Sequence, residues 1–586
     1  MRLALFVWSW LLVSPGAFAQ APETPTLHTG AQIVVVDVTV LDQHGDPVHH
    51  LKPTNFTLLE NGTPQAVSQF EEHMATDAAR VAAAPALGPG TYTNFPFAPE
   101  DSASNILLFD TLNTPESDQA MARQKLIAFV KAARPGTRLA VFTLSTRLTL
   151  LQGFTSDSAL LLAAVSKSTK VQSSPVLPES IGAEESLSST VRIPSAEIKG
   201  TMRQGEAMQT TAQNRLRVLT TLRAMNQLAR YLSGIPGRKN LVWLSGSFPL
   251  NVLPNAGLKN GFGATDSFES EMHETANLFA RSQVAIYPVD LHGLQNSALS
   301  DASSGKYVFG SLSVQSDVDA FSNQKLDEQG TMRQLAESTG GKAYVNTNDL
   351  KDSIGKALDN GANYYTLIYS PTDKEKTGYR RIEVRLPAGN YSLSYRRGYY
   401  VDDPASKKGV ASNADKKALP PPDPMHVAMQ YGAPPPSQIL FKALVVADAR
   451  SSDKLAEGNI VASKSKPPYR LVTIAYAANP GDITMPARED GTRHVDLEFV
   501  ALVYDRDGKL FIQQSNRINV FARPEAVRDF LREGVRYQQQ IAVPAKGEYY
   551  VRSGIHDLIG DKIGAIEIPA SSIASAPSPS GQMSAK

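Results

Sequence analysis

The sequence contains no cysteine. This absence excludes disulfide bonds, thiolate metal sites, cysteine nucleophiles and lipid attachment through a cysteine side chain. Many exported proteins use disulfides, but a chain of 586 residues can bury enough apolar surface to fold without such cross-links. Any chemistry must therefore come from oxygen and nitrogen groups.

Net charge is also nearly absent, because 58 basic residues stand against 57 acidic ones. A neutral chain has no electrostatic footprint for nucleic acid or for an anionic membrane surface. We therefore expect no nucleic-acid partner. No apolar run after residue 19 is long enough for a transmembrane helix.

Residues 1–19 have the three-part pattern of a secretory signal. Arg2 provides the positive start, residues 3–13 form an apolar run, and Ala17 and Ala19 are the small residues that a signal peptidase reads. The apolar run is shorter than the roughly 20 residues that span a bilayer, which favours a cleaved signal over a retained anchor. The expected location is periplasmic or extracellular, in the cell envelope, with no integral membrane span after cleavage.

Periodicity and composition predict a multidomain chain that is α/β in its centre and all-β at its ends. The predicted units are a leader and small β module (20–73), a linker (74–104), an α/β domain (105–400), a second linker (401–424), a β-sandwich (425–570) and a disordered tail (571–586). Within the α/β domain, apolar strands alternate with helices. This alternation predicts a central doubly wound, mostly parallel sheet, Rossmann-like, with long insertions near 166–210 and 296–325 and a terminal β extension.

Sequence motifs of several enzyme classes are either absent or stand in the wrong order relative to the predicted helices and strands. The run Thr339-Gly340-Gly341-Lys342 follows a predicted helix and precedes a strand, which is the reverse of a phosphate loop. Position 277 is Asn, so no H-E-x-x-H zinc motif begins at His273, and no G-x-S-x-G nucleophile elbow occurs. We therefore expect a protein that is not an enzyme.

Polar residues follow three of the predicted strands in the α/β domain, at the place where open α/β sheets bind ligands. The predicted ligand-binding residues are Asp110, Asn113, Thr114, Ser245, Ser247 and Asp290. Two simpler interpretations stay open. Asp110 could cap the following segment through backbone amides, and Asp290 could be a polar strand end bonded to its own loop.

The α/β domain resembles the von Willebrand factor A fold, and the whole chain resembles the von Willebrand factor A-related family found in Acidobacteria. The resemblance rests on these stretches: VVVDVTVLDQHGDPVHHLKPTNFTLLENGTPQ, ILLFDTLNT, NLVWLSGSFP, VAIYPVDLHGL, LAESTGGKAYVNTNDL, YYTLIYSPTDKEKTGYRRIEVRL and YRRGYY. They are spread from about residue 33 to residue 400. The C-terminal β domain contributes less to the resemblance.

The resemblance implies a metal-ion-dependent adhesion site, D-x-S-x-S after the first strand, with a loop Thr and a later Asp. Asp110 matches the first position and Thr114 the last, but Leu112 replaces the first Ser and cannot bind a metal. Ser245 follows the strand where the later Asp is expected, and no motif decides whether Thr210 or Thr211 is the loop Thr. Fewer charged oxygen ligands weaken binding of Mg²⁺ or Mn²⁺. The sequence therefore favours a degenerate site without a metal cofactor.

Three functions remain in consideration from the sequence. The favoured one is an exported interaction or adhesion-type protein that binds a protein or glycan at the C-terminal edge of the central sheet. The second is an enzyme or an accessory subunit of an envelope hydrolase, for which Asp110 and Asp290 are the candidate carboxylate pair. The third is a structural spacer in the envelope.

Overall fold

The structure is a computed structural model. It describes residues 33–75, 87–96, 103–133, 136–167, 196–246, 251–252, 266–291, 313–347, 349–373, 377–386, 389–401, 423–488 and 490–575. The predicted signal peptide, most of the 401–424 linker and the end of the predicted tail lie outside these ranges. Among the helices in the described ranges, none is both long enough and apolar enough to cross a membrane.

Strands dominate both ends of the chain, and helices alternate with strands in its middle. The first strands are β1 (Val34–Leu41), β2 (Thr57–Glu60), β3 (Thr63–Pro64), β4 (Val67–His73) and β5 (Thr91–Thr93). The middle contains β6 (Ser104–Asp110), α1 (Glu116–Ala132), β7 (Leu139–Leu144), β8 (Leu148–Thr155), α2 (Ser158–Lys167), α3 (Ala196–Leu232), β9 (Lys239–Ser245), β10 (Asn251–Val252), β11 (Asp266–Ser267), α4 (Glu269–Arg281), β12 (Val284–Asp290), α5 (Ser313–Thr339) and α6 (Leu350–Ala362).

The remaining elements are mostly strands. They are β13 (Tyr364–Tyr369), β14 (Gly378–Arg385), β15 (Ser392–Ser394), β16 (Gly398–Val401), α7 (Pro424–Ala428), β17 (Phe441–Ala447), β18 (Ile460–Val461), β19 (Tyr469–Ala478), β20 (Arg493–Asp505), β21 (Leu510–Ala522), α8 (Pro524–Glu533), β22 (Val535–Pro544), β23 (Tyr549–Asp557) and β24 (Lys562–Pro569).

The first β unit is built from two distant parts of the chain. Its sheets have the orders β15-β1-β13-β4 and β16-β14-β2-β3, so each sheet combines strands from 34–73 with strands from 364–401. The two parts share one apolar core. A buried ion pair joins them, because Arg380 donates to Glu60 at 3.0 Å. The predicted N-terminal module and the predicted β extension are therefore one unit, interrupted by the α/β part.

The α/β part contains a five-stranded sheet of order β12-β9-β6-β7-β8. Neighbouring strands run parallel from β12 to β7, whereas β8 pairs antiparallel with β7. Strands β6, β7, β9 and β12 are buried along their whole length, as expected for strands covered on both faces. Helices α3 and α4 pack on one face, and α1, α2 and α6 pack on the other. The chain is thus mixed α/β, and most of its other sheets are antiparallel.

Two predicted insertions contain long helices. Helix α3 begins at Ala196, well inside the predicted 166–210 loop, and α5 begins at Ser313, inside the predicted 296–325 loop. The prediction that Thr210 or Thr211 lies in a loop is therefore wrong, since both positions belong to α3. The Thr211 hydroxyl donates to the carbonyl of Ala207 at 2.9 Å, one helical turn earlier.

The C-terminal part has two antiparallel sheets, β22-β19-β17-β5 and β18-β21-β20-β23-β24, which share one apolar core. This arrangement agrees with the predicted β-sandwich. Strand β5 comes from the predicted 74–104 linker and pairs antiparallel with β17. The predicted tail also begins later than expected, because Ile573 is buried in the sandwich core.

Candidate functional site

Three of the predicted residues lie in a row at one edge of the five-stranded sheet. Asp110 ends β6, Ser245 ends β9 and Asp290 ends β12, and Asp290 is paired in register with Ser245. The carboxyl ends of parallel strands meet at the same edge, so the alternation of strands and helices brings these residues together. The structure thus places the residues as the sequence predicts, although their role in binding stays a prediction.

The Asp110 carboxylate is fully buried and accepts four hydrogen bonds. Its Oδ1 accepts from the backbone N–H of Asn113 at 3.0 Å. Its Oδ2 accepts from Asn113 Nδ2 at 2.7 Å, from Trp243 Nε1 at 3.0 Å and from Ser245 Oγ at 3.0 Å. A carboxylate offers about four lone-pair positions; Oδ2 accepts three of the bonds and Oδ1 accepts one, so both oxygens are engaged.

The Thr114 hydroxyl ties the loop after β6 to the loop after β9. It donates to the Asp110 carbonyl at 2.5 Å and accepts from the backbone N–H of Gly246 at 3.0 Å. A Cβ at position 246 would lie 3.0 Å from the Asn113 carbonyl oxygen and 3.2 Å from Thr114 Cα. Glycine therefore lets the two loops approach closely enough for this bond.

Helix α3 supplies the back wall of the site. Asn113 Nδ2 donates to Thr221 Oγ1 at 2.7 Å, and Arg217 Nη2 donates to Asn113 Oδ1 at 3.3 Å. Arg217 and Thr221 are four residues apart and so share one face of the helix. Sequence reasoning missed both residues and also Trp243. The sequence shows that Arg217 and Thr221 are four residues apart in a helix. The loop that these two residues contact, however, lies about a hundred positions earlier in the chain.

Asp110 and Arg217 are a buried pair of opposite charges at this site. Burial raises the pKa of Asp110 above its ordinary value of 3.8, and the hydrogen bonds from Asn113, Ser245 and Trp243 offset only part of this effect. Burial lowers the pKa of Arg217, while the charge of Asp110 opposes that change. Arg217 is 5% exposed, so it is a cation held inside the protein close to the carboxylate. Asn113 bonds to both side chains and connects them.

This donor set does not fit a divalent metal. An adhesion-type site needs carboxylate and hydroxyl oxygens that are free to bind the ion, whereas the side-chain oxygens of Asp110, Thr114 and Ser245 already take part in hydrogen bonds. Leu112, which replaces a ligand, is buried in the apolar core. Among the described residues, no group of three or more His, Asp or Glu side chains is placed to hold a metal. The positive charge near the Asp110 carboxylate comes from Arg217 instead of a metal ion.

Asp290 belongs to a second network. Gln329 Nε2 lies 3.4 Å from Asp290 Oδ2 and donates at 2.9 Å to Asn346 Oδ1. The backbone N–H of Asp290 donates to the Tyr344 carbonyl at 2.9 Å. Asp290 is therefore tied to helix α5 and to the loop before α6, whereas Asp110 is tied to helix α3.

Burial decides which of these groups a ligand could touch. The side chains of Asp110, Asn113, Thr114 and Ser245 are at most 1% exposed. They form the floor of the sheet edge, and the surface above them must supply the direct contacts of any ligand. Ser247, the sixth predicted ligand-binding residue, lies outside the described residues.

Comparison with known proteins gives no family. No family model matches the chain, and no curated protein matches it significantly. The acidobacterial family suggested by the sequence motifs therefore stays a prediction.

Solved structures give matches of low similarity. They include an aerotolerance-related membrane protein from Bacteroides fragilis NCTC 9343, with 10% identity, coverage of 44% of this chain and 98% of that chain, and a TM-score of 0.23. The PilB minor pilin from Streptococcus sanguinis has 10% identity, coverage of 57% and 87%, and a TM-score of 0.23. The VWA domain of SpRpn10 has 12% identity, coverage of 44% and 95%, and a TM-score of 0.18. Similarities of this size assign neither a family nor a function.

Proposed function

We propose that the chain is an exported interaction protein that binds a protein or glycan partner at the C-terminal edge of the five-stranded sheet, without a metal ion. The observation that supports the metal-free part is the buried Asp110 carboxylate, which accepts four internal hydrogen bonds and is linked through Asn113 to Arg217. Export rests on the signal-like pattern of residues 1–19.

The network gives this edge a rigid floor, which is what a binding surface needs. A hydrogen-bonded set of buried groups has one favourable arrangement, because each alternative leaves a polar group unpaired at a cost of about 1–3 kcal/mol. The ends of β6 and β9 and helix α3 are thereby held in a fixed relation. Surface residues on the neighbouring loops are then presented to a partner in a defined geometry.

We propose binding rather than catalysis because the two candidate carboxylates lie in different surroundings. Asp110 is sealed by its own donors, and Asp290 is held by Gln329 and by the segment before α6. A general acid and base must both reach the reacting atoms of one substrate. Asp110 meets this condition only if its hydrogen bonds break.

Site-specific photo-crosslinking tests the location of the binding surface. Thr146 is exposed in the turn between β7 and β8, at the same edge as Asp110. Ser156 is exposed after β8, near the opposite edge of the sheet, and serves as the matched control. The full chain with a photoreactive residue at one position or the other would be expressed in its native envelope and irradiated with and without EDTA.

We expect one discrete crosslinked species from position 146, unchanged by EDTA, and none from position 156. Equal crosslinking from both positions would contradict the proposed location. Loss of the species in EDTA with recovery in Mg²⁺ would contradict the metal-free mode.

A further inference from the structure

A cleft lies on the side of the α/β part opposite to the Asp110 site, where the α/β part meets the C-terminal sandwich. It has a volume of about 510 Å³ and lies between helix α4, strand β16 and the turn that joins β23 to β24. Clefts of this size suit small molecules or short segments of a polymer. The segments before β9 and β12 contribute Ser233 and Ser282. Parallel strands start at the edge opposite to their ends, so this cleft is separate from the Asp110 edge.

One wall of the cleft is aromatic. The rings of His273 and Tyr400 are stacked with centroids 4.1 Å apart, and His273 Nε2 lies 2.7 Å from the Tyr400 hydroxyl. Tyr379, which does not line the cleft, packs against Tyr400 with ring centroids 4.9 Å apart. Asn277 on helix α4 accepts from the backbone N–H of Tyr400 at 3.0 Å, which fixes the strand against the helix. The aromatic groups are therefore held in place by their surroundings.

The floor of the cleft is polar and internally neutral. Arg230, at the end of helix α3, donates to the Asp561 carboxylate at 2.6 Å, to its carbonyl at 2.6 Å and to Gln438 Oε1 at 2.8 Å. His556 lies 3.2 Å from the other Asp561 oxygen. Burial opposes ionisation of Asp561, but the bonds from His556 and Arg230 outweigh it and lower the pKa of this carboxyl. The floor thus offers fixed hydrogen-bonding groups of balanced charge.

The rim carries charges of both signs. Helix α4 contributes Glu274 and Arg281, both exposed, and the first residue of β24 contributes Lys562 on the opposite side. A cleft selective for anions would present cations alone, and a cleft for lipid chains would be mainly apolar. The combination found here is planar amide, carboxylate and guanidinium groups beside aromatic rings.

We infer that this cleft is a carbohydrate-binding site that takes a short oligosaccharide segment. A sugar ring has an apolar C–H face, which packs on an aromatic ring, and neighbouring hydroxyl groups that both donate and accept hydrogen bonds. Planar polar side chains such as those of Glu274 and Arg281 can pair with two adjacent hydroxyls at once. The stacked rings of His273 and Tyr400 offer the apolar surface together with polar atoms.

Titration with defined sugars tests this inference on the full chain. The probes are cellotetraose, maltotetraose and chitotetraose, followed by saturation-transfer NMR and by calorimetry. We expect at least one tetrasaccharide to bind with a dissociation constant of about 1 mM or tighter, a range in which weak single-site sugar binding is measurable. Thermal unfolding of Arg281→Ala and Glu274→Ala is recorded beside binding, so that loss of binding is interpreted only in variants that keep the transition of the parent.

The variants decide whether the sugar occupies this cleft. Combined E274A and R281A should weaken binding about tenfold or more, and His273→Ala should abolish the saturation-transfer signal. Tyr391→Ala, an exposed tyrosine away from the cleft, is the control and should bind as the parent does. Absence of binding for all three sugars at 10 mM (about ten times the expected constant), or binding that the cleft variants leave unchanged, would overturn the inference. Binding of a peptide that the same cleft variants abolish, with no sugar bound at any concentration tested, would assign the cleft to a protein segment instead.

Discussion

The Asp110 carboxylate is a group whose replacement by a near-isosteric amide has a defined outcome. In Asp110→Asn the amide NH₂ must face at least one of the donors from Asn113, Trp243 or Ser245. Leaving one buried donor unpaired costs about 1–3 kcal/mol. We expect a fall of that size in the free energy of unfolding, measured by urea denaturation.

An exposed aspartate provides the control for that measurement. Asp453→Asn lies on the surface of the C-terminal part and should change the free energy of unfolding by less than about 0.5 kcal/mol. If Asp110→Asn were as stable as the parent, the hydrogen-bond network could not be the rigid floor that the proposed function requires.

Lys239 gives a prediction about pH. Its side chain is 1% exposed, and burial lowers its pKa from 10.5 to about 7. Between these two values the unfolded chain binds the proton more tightly than the folded chain, so this group adds stability as pH rises from 7 to 10.5 and removes it as pH falls. Lys239→Met cannot titrate. Relative to the parent, we therefore expect the variant to be more stable at pH 6 than at pH 10.

Thermal unfolding at the two pH values measures that difference. Exposed Lys351→Met is the control, and its stability relative to the parent should be the same at both pH values. A Lys239→Met effect that does not change between pH 6 and pH 10 would show that the ammonium group is solvated in the native protein.

At the scale of single residues, the sequence predicts strand ends better than their partners. Asp110, Ser245 and Asp290 could be placed at one edge because each directly follows an apolar run, and parallel strands end together. Arg217 and Thr221 could not, since contacts between a helix and a loop a hundred positions away leave no periodic signal. The same limit applies to Trp243, whose indole N–H in a buried strand gave no indication that it donates to Asp110.

Helix α3 links the site to the rest of the molecule, and one hydroxyl on it tests that link. Thr221→Val keeps the volume of the side chain but cannot accept the hydrogen bond from Asn113 Nδ2. The buried amide then lacks one partner, and we expect a loss of about 1–3 kcal/mol in the free energy of unfolding. Thr220→Val, at the neighbouring and partly exposed position, should cost much less. Equal costs for the two variants would indicate loss of helix propensity rather than of the contact.

Helix α3 is longer than hydrophobic periodicity predicts. The pattern of Val218, Leu222, Met225, Ala229 and Leu232 predicts a helix from residue 215, whereas the helix begins at Ala196. Its first half is rich in residues of high helix propensity, such as Ala, Glu, Gln, Met and Arg. These residues stabilise a helix without forming an apolar face, so hydrophobic periodicity does not detect this half of the helix.

At the scale of the whole molecule, the connection between the parts can be tested by cutting the chain. Strand β5 pairs with β17, and Arg230 donates to Asp561 across the same junction. We therefore expect the two fragments to remain together after cleavage at a protease site engineered within residues 402–422. Native size-exclusion chromatography should give one peak containing both fragments. Two separate peaks for the parent sequence would contradict these contacts, and Arg230→Ala should promote dissociation.

Domain boundaries were harder to predict than domain types. Alternating and apolar patterns predict strands at both ends and strands alternating with helices in the middle, which is the order of the described elements, because each pattern is local. The pairing of β1 with β13 and of β5 with β17 is not local. No feature of the short run Thr91–Thr93 distinguishes a strand of the distant sandwich from a piece of linker.

That chain path has a consequence for how the protein is made. Strands β1 and β4 pair with β13, β5 pairs with β17, and Tyr92 donates to the Ser572 carbonyl across 480 positions of sequence. These early strands therefore have no sheet partner until the chain has emerged at least as far as β13. Pairings this distant are slow to form, and strand edges that wait for them are prone to aggregation. Production of the whole protein should therefore depend on chaperones that keep emerging chains apart. Production of the α/β part alone should depend on them less.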